Sequence, residues 1–276
     1  MNPHFSQSTS LVALLRSFWF NRELIWQMVR REVVGRYRGS VMGIVWSFFN
    51  PLFMLAVYTF VFSVVFKARW GESVDESKTQ FAMILFVGMI VHSILAEVLN
   101  QAPSIIKNNT NYVKKVVFPL EVLSIVSVGS TLFHAFVSLI VLLTAFAVFN
   151  GCIHWTVVLI PLVWLPLLLA TLGFAWMLAS LGVFLRDIGH LIGIITTVLL
   201  FLAPVFYPIK NIPKEYRFWI MINPLTFIIQ QSREIVIWGR LPSWCGLGIY
   251  SLVSILVLWF GFWWFQKTRK GFADVL

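Results

Sequence analysis

Six stretches of apolar residues, each about as long as the roughly 20 residues a helix needs to cross 30 Å of hydrocarbon, divide this chain. They cover 41–66, 80–100, 120–149, 157–185, 188–207 and 245–265. In lipid every backbone N–H and C=O must be satisfied within the protein, which leaves helices or a closed barrel. Runs this long and this continuously apolar read as helices rather than as alternating strands. The expected fold is therefore all-α, a polytopic membrane protein with six transmembrane helices. The third and fourth stretches exceed the minimum, so they tilt or extend beyond the lipid. Pro51 and Pro166 fall inside spans and predict kinks, whose freed backbone groups need protein or water partners.

Charge supports the same class. Only 12% of the 276 residues are charged, against roughly 25% in a soluble domain. That leaves too little polar surface to face water all round. The net charge of +10 would point to nucleic acid in a soluble protein. Here the lysines and arginines lie between the apolar stretches, so they report topology, and no nucleic-acid partner is expected. Arg16, Arg22, Arg30, Arg31, Arg36 and Arg38 precede the first stretch; Lys107, Lys114 and Lys115 follow the second. Arg186 lies between the fourth and fifth, and Lys267, Arg269 and Lys270 follow the sixth. Together they outnumber Lys67, Arg69, Lys78, Lys210, Lys214, Arg217, Arg233 and Arg240 on the other side. The richer side is expected to be cytoplasmic and to carry both termini. Three parts follow: a cytoplasmic segment 1–40, a transmembrane domain 41–265 and a cytoplasmic tail 266–276. No cleavable signal peptide is legible, so the first span is expected to direct insertion. Cys152 and Cys245 are too few for a disulfide framework, and their apolar surroundings favour inert thiols.

Three segments are amphipathic without spanning. In 21–38, Ile25, Val29, Val33 and Tyr37 recur every four residues, with Arg30, Arg31, Glu23 and Gln27 opposite. That pattern predicts a helix lying along the membrane surface, apolar face down. Arg36 breaks it by falling inside the apolar sector. The loop 103–118 carries Ile105, Ile106, Tyr112 and Val113, which a solvated turn would not need. Asn108 and Thr110 match a glycosylation sequon, but on the side predicted to be cytoplasmic. The segment 204–244 is apolar and aromatic yet interrupted by Pro204, Pro208, Pro213, Pro224 and Pro242. Short apolar pieces broken by proline predict re-entrant or interfacial helices on the external side.

Enzyme chemistry is not legible. There is no G-x-x-x-x-G-K-[ST] loop, H-E-x-x-H or C-x-x-C, and the histidines show no ligand spacing, so no metal site, no cofactor and no catalytic residue is expected in this chain. Glu97 is expected to snorkel at the cytoplasmic end of the second span. His92 and His134 lie within spans, where each reads as a functional group or as a helix–helix hydrogen bond. Arg186-Asp187 reads as a local ion pair at a helix end. Aromatic residues are the informative excess, with 26 Phe, 13 Trp and 6 Tyr, more than interfacial belts require. Ring faces offer apolar surface, and Tyr and Trp add a polar tip. A wall of them would hold sugar rings weakly enough for a polymer to slide. The expected path residues are Trp46, Phe49, Tyr58, Phe201, Phe206 and Tyr207.

The run RYRGSVMGIVWSFFNPL at 36–52, the loop NQAPSIIKNNTNYVKKVVFPLEVL and the segment LAPVFYPIKNIPKEYRFWIMINPLTFIIQQSRE together resemble the permease subunit of a type 2 ABC transporter. More narrowly, they resemble the Wzm-type exporters of O-antigen, capsule or teichoic-acid chains, and the resemblance covers nearly the whole chain. It implies a half-transporter that pairs with a second copy of itself. Each copy would rest on a separate ATPase subunit that binds ATP and Mg, and the complex would move a lipid-linked polysaccharide outward across the bacterial inner membrane. It also implies ATPase docking through Arg30, Arg31, Lys107, Tyr112, Lys114 and Lys115, and an external gate around Pro208, Pro213, Asn223 and Pro224. Two other classes stay open from the residues alone. An ion-coupled transporter or channel would show intramembrane carboxylates, and a membrane-embedded glycosyl- or acyltransferase would show a base or nucleophile facing a cavity.

Overall fold

The computed structural model describes residues 10–66, 70, 78–114, 118–185 and 187–276. Every regular element among them is helical. Two helices, α1 (Leu11–Phe20) and α2 (Arg22–Arg36), precede the first span. That span begins with a 3-10 turn and α3 (Trp46–Tyr58), then continues as a π-helical stretch, Thr59–Val65. Next come α4 (Lys78–Asn108), the short α5 (Thr110–Lys114), α6 (Glu121–Asn150), α7 (Ile160–Phe184) and α8 (Ile188–Leu202). A non-spanning pair, α9 (Lys214–Ile222) and α10 (Pro224–Val236), leads to α11 (Trp244–Thr268) and the terminal α12 (Phe272–Val275).

Five of these segments are long and apolar enough to cross a membrane: Gly43–Phe62, Thr79–Asn108, Glu121–Asn150, Trp155–Phe184 and Trp244–Gly271. The predicted stretch 188–207 is shorter than expected. Helix α8 stops at Leu202, and Ala203 is extended with ψ 150. The cause is Pro204, whose ring disfavours helical backbone in the residue before it. The 15 residues of α8 reach about 22 Å at 1.5 Å per residue.

The packing centres on α4, which touches α3, α6, α7, α8 and α10. Ala82, Leu85, Val91, Ile94, Val98 and Ala102 along it are all fully buried. The first half of α4 is apolar all round, as suits a helix enclosed by protein, whereas Ser93, Asn100 and Ser104 in its second half are exposed. The pair α7 and α11 crosses closely at two glycines. A Cβ on Gly173 would meet the Val257 carbonyl oxygen at 2.5 Å, and one on Gly261 would collide with the Gly173 carbonyl. Small residues are what allow two backbones to touch in lipid, where the hydrophobic effect between helices is weak. Helix α6 ends at Gly151, whose φ of 78 is left-handed and whose N–H reaches the Ala147 carbonyl at 2.9 Å, closing the helix as glycine C-caps do.

The core has two main clusters. One gathers Met83, Val87, Phe146, Trp164 and Ile228; the other gathers Leu14, Ile106, Val122, Trp176, Phe262 and Phe272. The second holds side chains from both ends of the chain, so α1 and α12 lie at the same end of the bundle. The tail expected at 266–276 does not hang free. Phe272 is fully buried and packs edge-on against Phe265 and at a tilt against Phe184.

Candidate functional site

Two elements singled out from sequence as docking surfaces lie side by side. Arg30 and Arg31 are exposed on α2, and Arg31 Nη2 donates to the Tyr112 hydroxyl at 3.5 Å. Tyr112 in turn stacks on Phe118 with ring centroids 4.5 Å apart. Lys114 is exposed and Lys107 half-buried; Lys115 lies outside the described residues. The apolar residues of the loop are used internally, since Ile106 is fully buried and Ile105, Tyr112 and Val113 pack on the second core cluster. What the loop presents outward is therefore its polar and basic side, joined to the basic side of α2.

The apolar stripe of α2 is also spent on protein, which differs from a helix with its apolar face on lipid. Val33 is buried, and Leu24, Ile25, Met28 and Val29 join the second cluster against α6. Trp26, beside the stripe, stays 70% exposed. The misplaced Arg36 is explained by the same packing: it forms a short ion pair with Glu97 of α4. Both side chains are half-buried, and Glu97 also accepts from Gln101 Nε2 at 3.5 Å. Burial raises the Glu32 carboxyl pKa, with Arg36 pulling it down and Glu97 adding to the rise. Tyr37 shares a hydrogen bond of 3.3 Å with His134 Nδ1 of α6. The interface helix is thus tied by polar contacts to two spans.

A second polar staple joins the chain ends to the start of α6. Glu121, only 5% exposed, accepts from Arg269 Nη1 at 3.0 Å and from Ser17 Oγ at 3.1 Å. Arg269 Nη2 also donates to the Phe118 carbonyl at 2.8 Å. Removing one partner from such a pair leaves a buried charge uncompensated, at a cost of about 3–5 kcal/mol.

At the opposite end lie two short helices, α9 of 9 residues and α10 of 13 residues. Pro213 precedes α9, and Asn223 caps α10 through Leu225 N at 2.9 Å with Pro224 in its first turn, the arrangement that favours a sharp helix start. Asn223 Nδ2 donates to the Leu199 carbonyl of α8 at 3.0 Å. Tyr250 of α11 donates to the Pro224 carbonyl at 2.8 Å, and Trp164 of α7 donates to Ser232 Oγ at 3.1 Å. Arg233 is the residue that the sequence reading passed over. It is 2% exposed and donates to the carbonyls of Ile84, Pro204 and Val205 at 3.0, 2.6 and 2.9 Å. Its guanidinium carbon lies 4.3 Å from the Trp70 ring centroid. Burial pushes its pKa down to about 9, so it stays cationic at neutral pH.

The aromatic residues fall into groups. Phe201, Phe206 and Phe62 form a contiguous cluster, with Phe206 stacked on Phe62 and tilted against Phe201, each at 5.8 Å. The Tyr207 hydroxyl donates to the Phe201 carbonyl at 2.9 Å. Tyr58 packs on Phe86 of α4 instead. Trp46 and Phe49 meet each other at 6.4 Å near the start of α3. Phe201 is 62% exposed, and Trp46 and Phe49 are each 46% exposed. Among the intramembrane histidines, His92 Nε2 bonds to the Thr196 carbonyl of α8 at 3.1 Å, an interhelical contact. Both Cys152 and Cys245 are free thiols. The pair expected at Arg186-Asp187 lies partly outside the described residues, as do Lys67 and Arg69.

Residues 23–237 match the family model described as "ABC-2 type transporter". The chain is 30% identical over 266 residues to the O-antigen export system permease protein RfbA of Myxococcus xanthus, covering 96% of this chain and 99% of that protein. It is 23% identical over 256 residues to the protein of the same name from Klebsiella pneumoniae, covering 92% and 95%. It is 20% identical over 234 residues to the polysialic acid transport protein KpsM of Escherichia coli, covering 84% and 88%.

Proposed function

Because this chain belongs to the ABC-2 type transporter family of membrane permeases, we propose that it is the membrane half of an ATP-driven exporter of lipid-linked polysaccharide, O-antigen first among the polymers. It is a transporter subunit rather than an enzyme, and the hydrolysis of ATP with Mg belongs to a separate ATPase subunit. Two copies of the chain and two ATPases would assemble in the inner membrane. In this reading α8 makes the sixth crossing, its short length made up by the extended residues that follow it. Both termini then face the cytoplasm and the α9–α10 hairpin faces outward. The division into 1–40, 41–265 and 266–276 follows, with 101–118 as the coupling loop and 204–244 as the gate around Pro208, Pro213, Asn223 and Pro224.

The observation that carries this reading is the contact between Arg31 and Tyr112. It joins α2 and the 101–118 loop into one basic surface at the end of the bundle that gathers both chain ends. A chain without a nucleotide site needs such a surface to receive force from outside itself. The surface fits a partner that presents carboxylates. The test is to purify the chain with the ATPase and measure hydrolysis with and without the lipid-linked polymer. Arg30→Glu with Arg31→Glu and Lys114→Glu should leave the permease in the membrane but abolish polymer-stimulated hydrolysis and export. Normal export by that variant at physiological salt, where exposed charges more than about 8 Å apart are largely screened, would remove this surface from the mechanism.

A further inference from the structure

The hairpin and the turn that precedes it enclose a cavity of about 850 Å³. Phe201, Phe206 and Tyr207 do not line it; Pro208 of the proposed gate does, but the gate reading assigns no ligand to it. Its volume falls within the roughly 300–1,000 Å³ of small-molecule sites, but its lining is more polar than most. Trp70 and Trp238 supply indole surface, and Lys210, Gln230, Glu234 and Arg240 supply polar groups.

The state of each polar group narrows the ligand. Arg233 lies in the wall but has no capacity to spare, since three carbonyls and the Trp70 ring occupy it. Its effect is to hold the Trp70 indole in place. Arg240 pairs with Glu234 at 3.7 Å, and its N–H closes a turn on the Glu234 carbonyl at 2.9 Å. Two of the three cations are therefore committed, which disfavours a simple anion as occupant. By contrast the Gln230 amide, the Trp238 indole N–H and the Lys210 ammonium have no hydrogen-bond partner among the described residues. The amide offers two donors and an acceptor, the indole one donor and the ammonium three. Uncommitted donors and acceptors interleaved with indole surface match a molecule with hydroxyls around its edge and C–H groups on its faces. An acyl chain would leave the amide unpaired, at the cost that attends a buried polar group without a partner.

We propose that this cavity is an external saccharide subsite that holds a short stretch of sugar rings of the exported chain as it leaves the permease. The proposal rests on the export reading above. Weak binding here would bias the polymer against sliding back between strokes of the ATPase.

The test uses the complex of permease and ATPase in lipid nanodiscs and saturation-transfer NMR. The probes are four free disaccharides, built from glucose, mannose, rhamnose and N-acetylglucosamine, with glycerol 3-phosphate as a headgroup probe. At least one disaccharide should receive saturation from the wild-type complex. Gln230→Ala should weaken that binding about fivefold, as for the loss of one net hydrogen bond, and Trp238→Phe should weaken it less. Lys210→Ala, at an exposed side chain, gives the same reading should Gln230→Ala fail to accumulate. No transfer to any disaccharide, or transfer unchanged in Lys210→Ala, Gln230→Ala and Trp238→Phe alike, overturns the subsite. Transfer to glycerol 3-phosphate alone makes the cavity a headgroup site and overturns it too. Export of polymer by cells carrying the wild-type chain is scored separately. If cells export but the disaccharides do not bind, only the subsite falls. If the wild-type chain supports no export, the parent reading falls with it.

Discussion

A guanidinium that is 2% exposed must be answered by acceptors, and Arg233 is answered by backbone carbonyls of Ile84, Pro204 and Val205. Those three carbonyls belong to α4 and to the extended stretch after α8, so one side chain of α10 ties three segments together. The extended stretch contains the break made by Pro204, where the carbonyls lose their helical partners. Arg233 supplies the missing donors. Hydrogen bonds to a charged group contribute about 1.5–3 kcal/mol each. Arg233→Met should therefore cost on the order of 3–5 kcal/mol and lower the melting temperature of the purified complex. Arg233→Lys should fall between the two, because an ammonium keeps the charge but not the planar fork that spans separate acceptors. A melting temperature equal to wild type in Arg233→Met would show that the hairpin is held by other contacts. None of this is legible in the sequence. There Arg233 is one more basic residue on the predicted external side, and its partners are main-chain atoms that leave no mark on residue types.

Two kinds of contact set the elements, and each has its own prediction. Helices α7 and α11 meet through Gly173 and Gly261 with no room for a Cβ. Gly173→Val or Gly261→Val should force the helices apart and remove the protein from the membrane fraction. Gly248→Val, on the same α11 but with open space around it, should accumulate normally. Equal accumulation of all three variants would mean that the close crossing is dispensable. Helix α2 is joined to α4 by the Arg36–Glu97 ion pair, which fixes the proposed docking helix to the helix that runs into the 101–118 loop. Arg36→Glu sets three carboxylates together, since Glu32 and Glu97 already interact there. Export should fall severalfold in Arg36→Glu and in Glu97→Arg, and recover when the two are combined. Failure of the double swap to recover would leave the pair as two independent surface charges. The spans themselves are readable from sequence because bilayer thickness dictates the length of an apolar run. The end of α8 is misread because apolar residues continue past Pro204, so hydropathy does not register the break. The anchoring of the tail is not legible in the sequence, because it rests on Phe272 and Leu276 packing on the distant second core cluster. Arg36 is the instructive case: its position in the apolar sector is visible from periodicity, and the partner that explains it lies 61 residues away.

The assembled bundle buries most of α4 and leaves α3 and α8 half bare. Phe48 and Phe53 on α3, Phe60 in the π-helical stretch after it, and Leu191, Ile194 and Val198 on α8 are between 47% and 66% exposed. Lipid could cover these faces, and so could the second copy of the proposed dimer; α3 carries Trp46, Phe49 and Tyr58 of the expected path, and α8 carries Phe201. The cluster of Phe62, Phe201 and Phe206 is legible in the sequence only as an excess of rings, not in its grouping. Phe62 escapes the predicted set, yet it joins the first span to Phe206 and so to Phe201. A conduit for a long polymer must bind every repeat weakly, because tight binding at one point would stall the chain. Ring faces suit this better than charged walls. The exposure of Phe201 makes it the cleanest probe, since a side chain 62% open to its surroundings contributes little packing. Tyr207→Phe removes only the hydroxyl that holds the Phe201 carbonyl, and should leave export close to normal. Phe206→Ala removes a ring packed against two others. If that ring served packing alone, its loss would cost on the order of 3–5 kcal/mol and the protein would disappear from the membrane. As part of a path, Phe201→Ala and Phe206→Ala should both accumulate and bind the ATPase, yet export several times less polymer per cell. Quantitative blotting of the membrane fraction beside surface polymer measures both quantities in one culture. Wild-type export from well-accumulated Phe201→Ala and Phe206→Ala would take the sugar off this wall and leave its rings as helix packing.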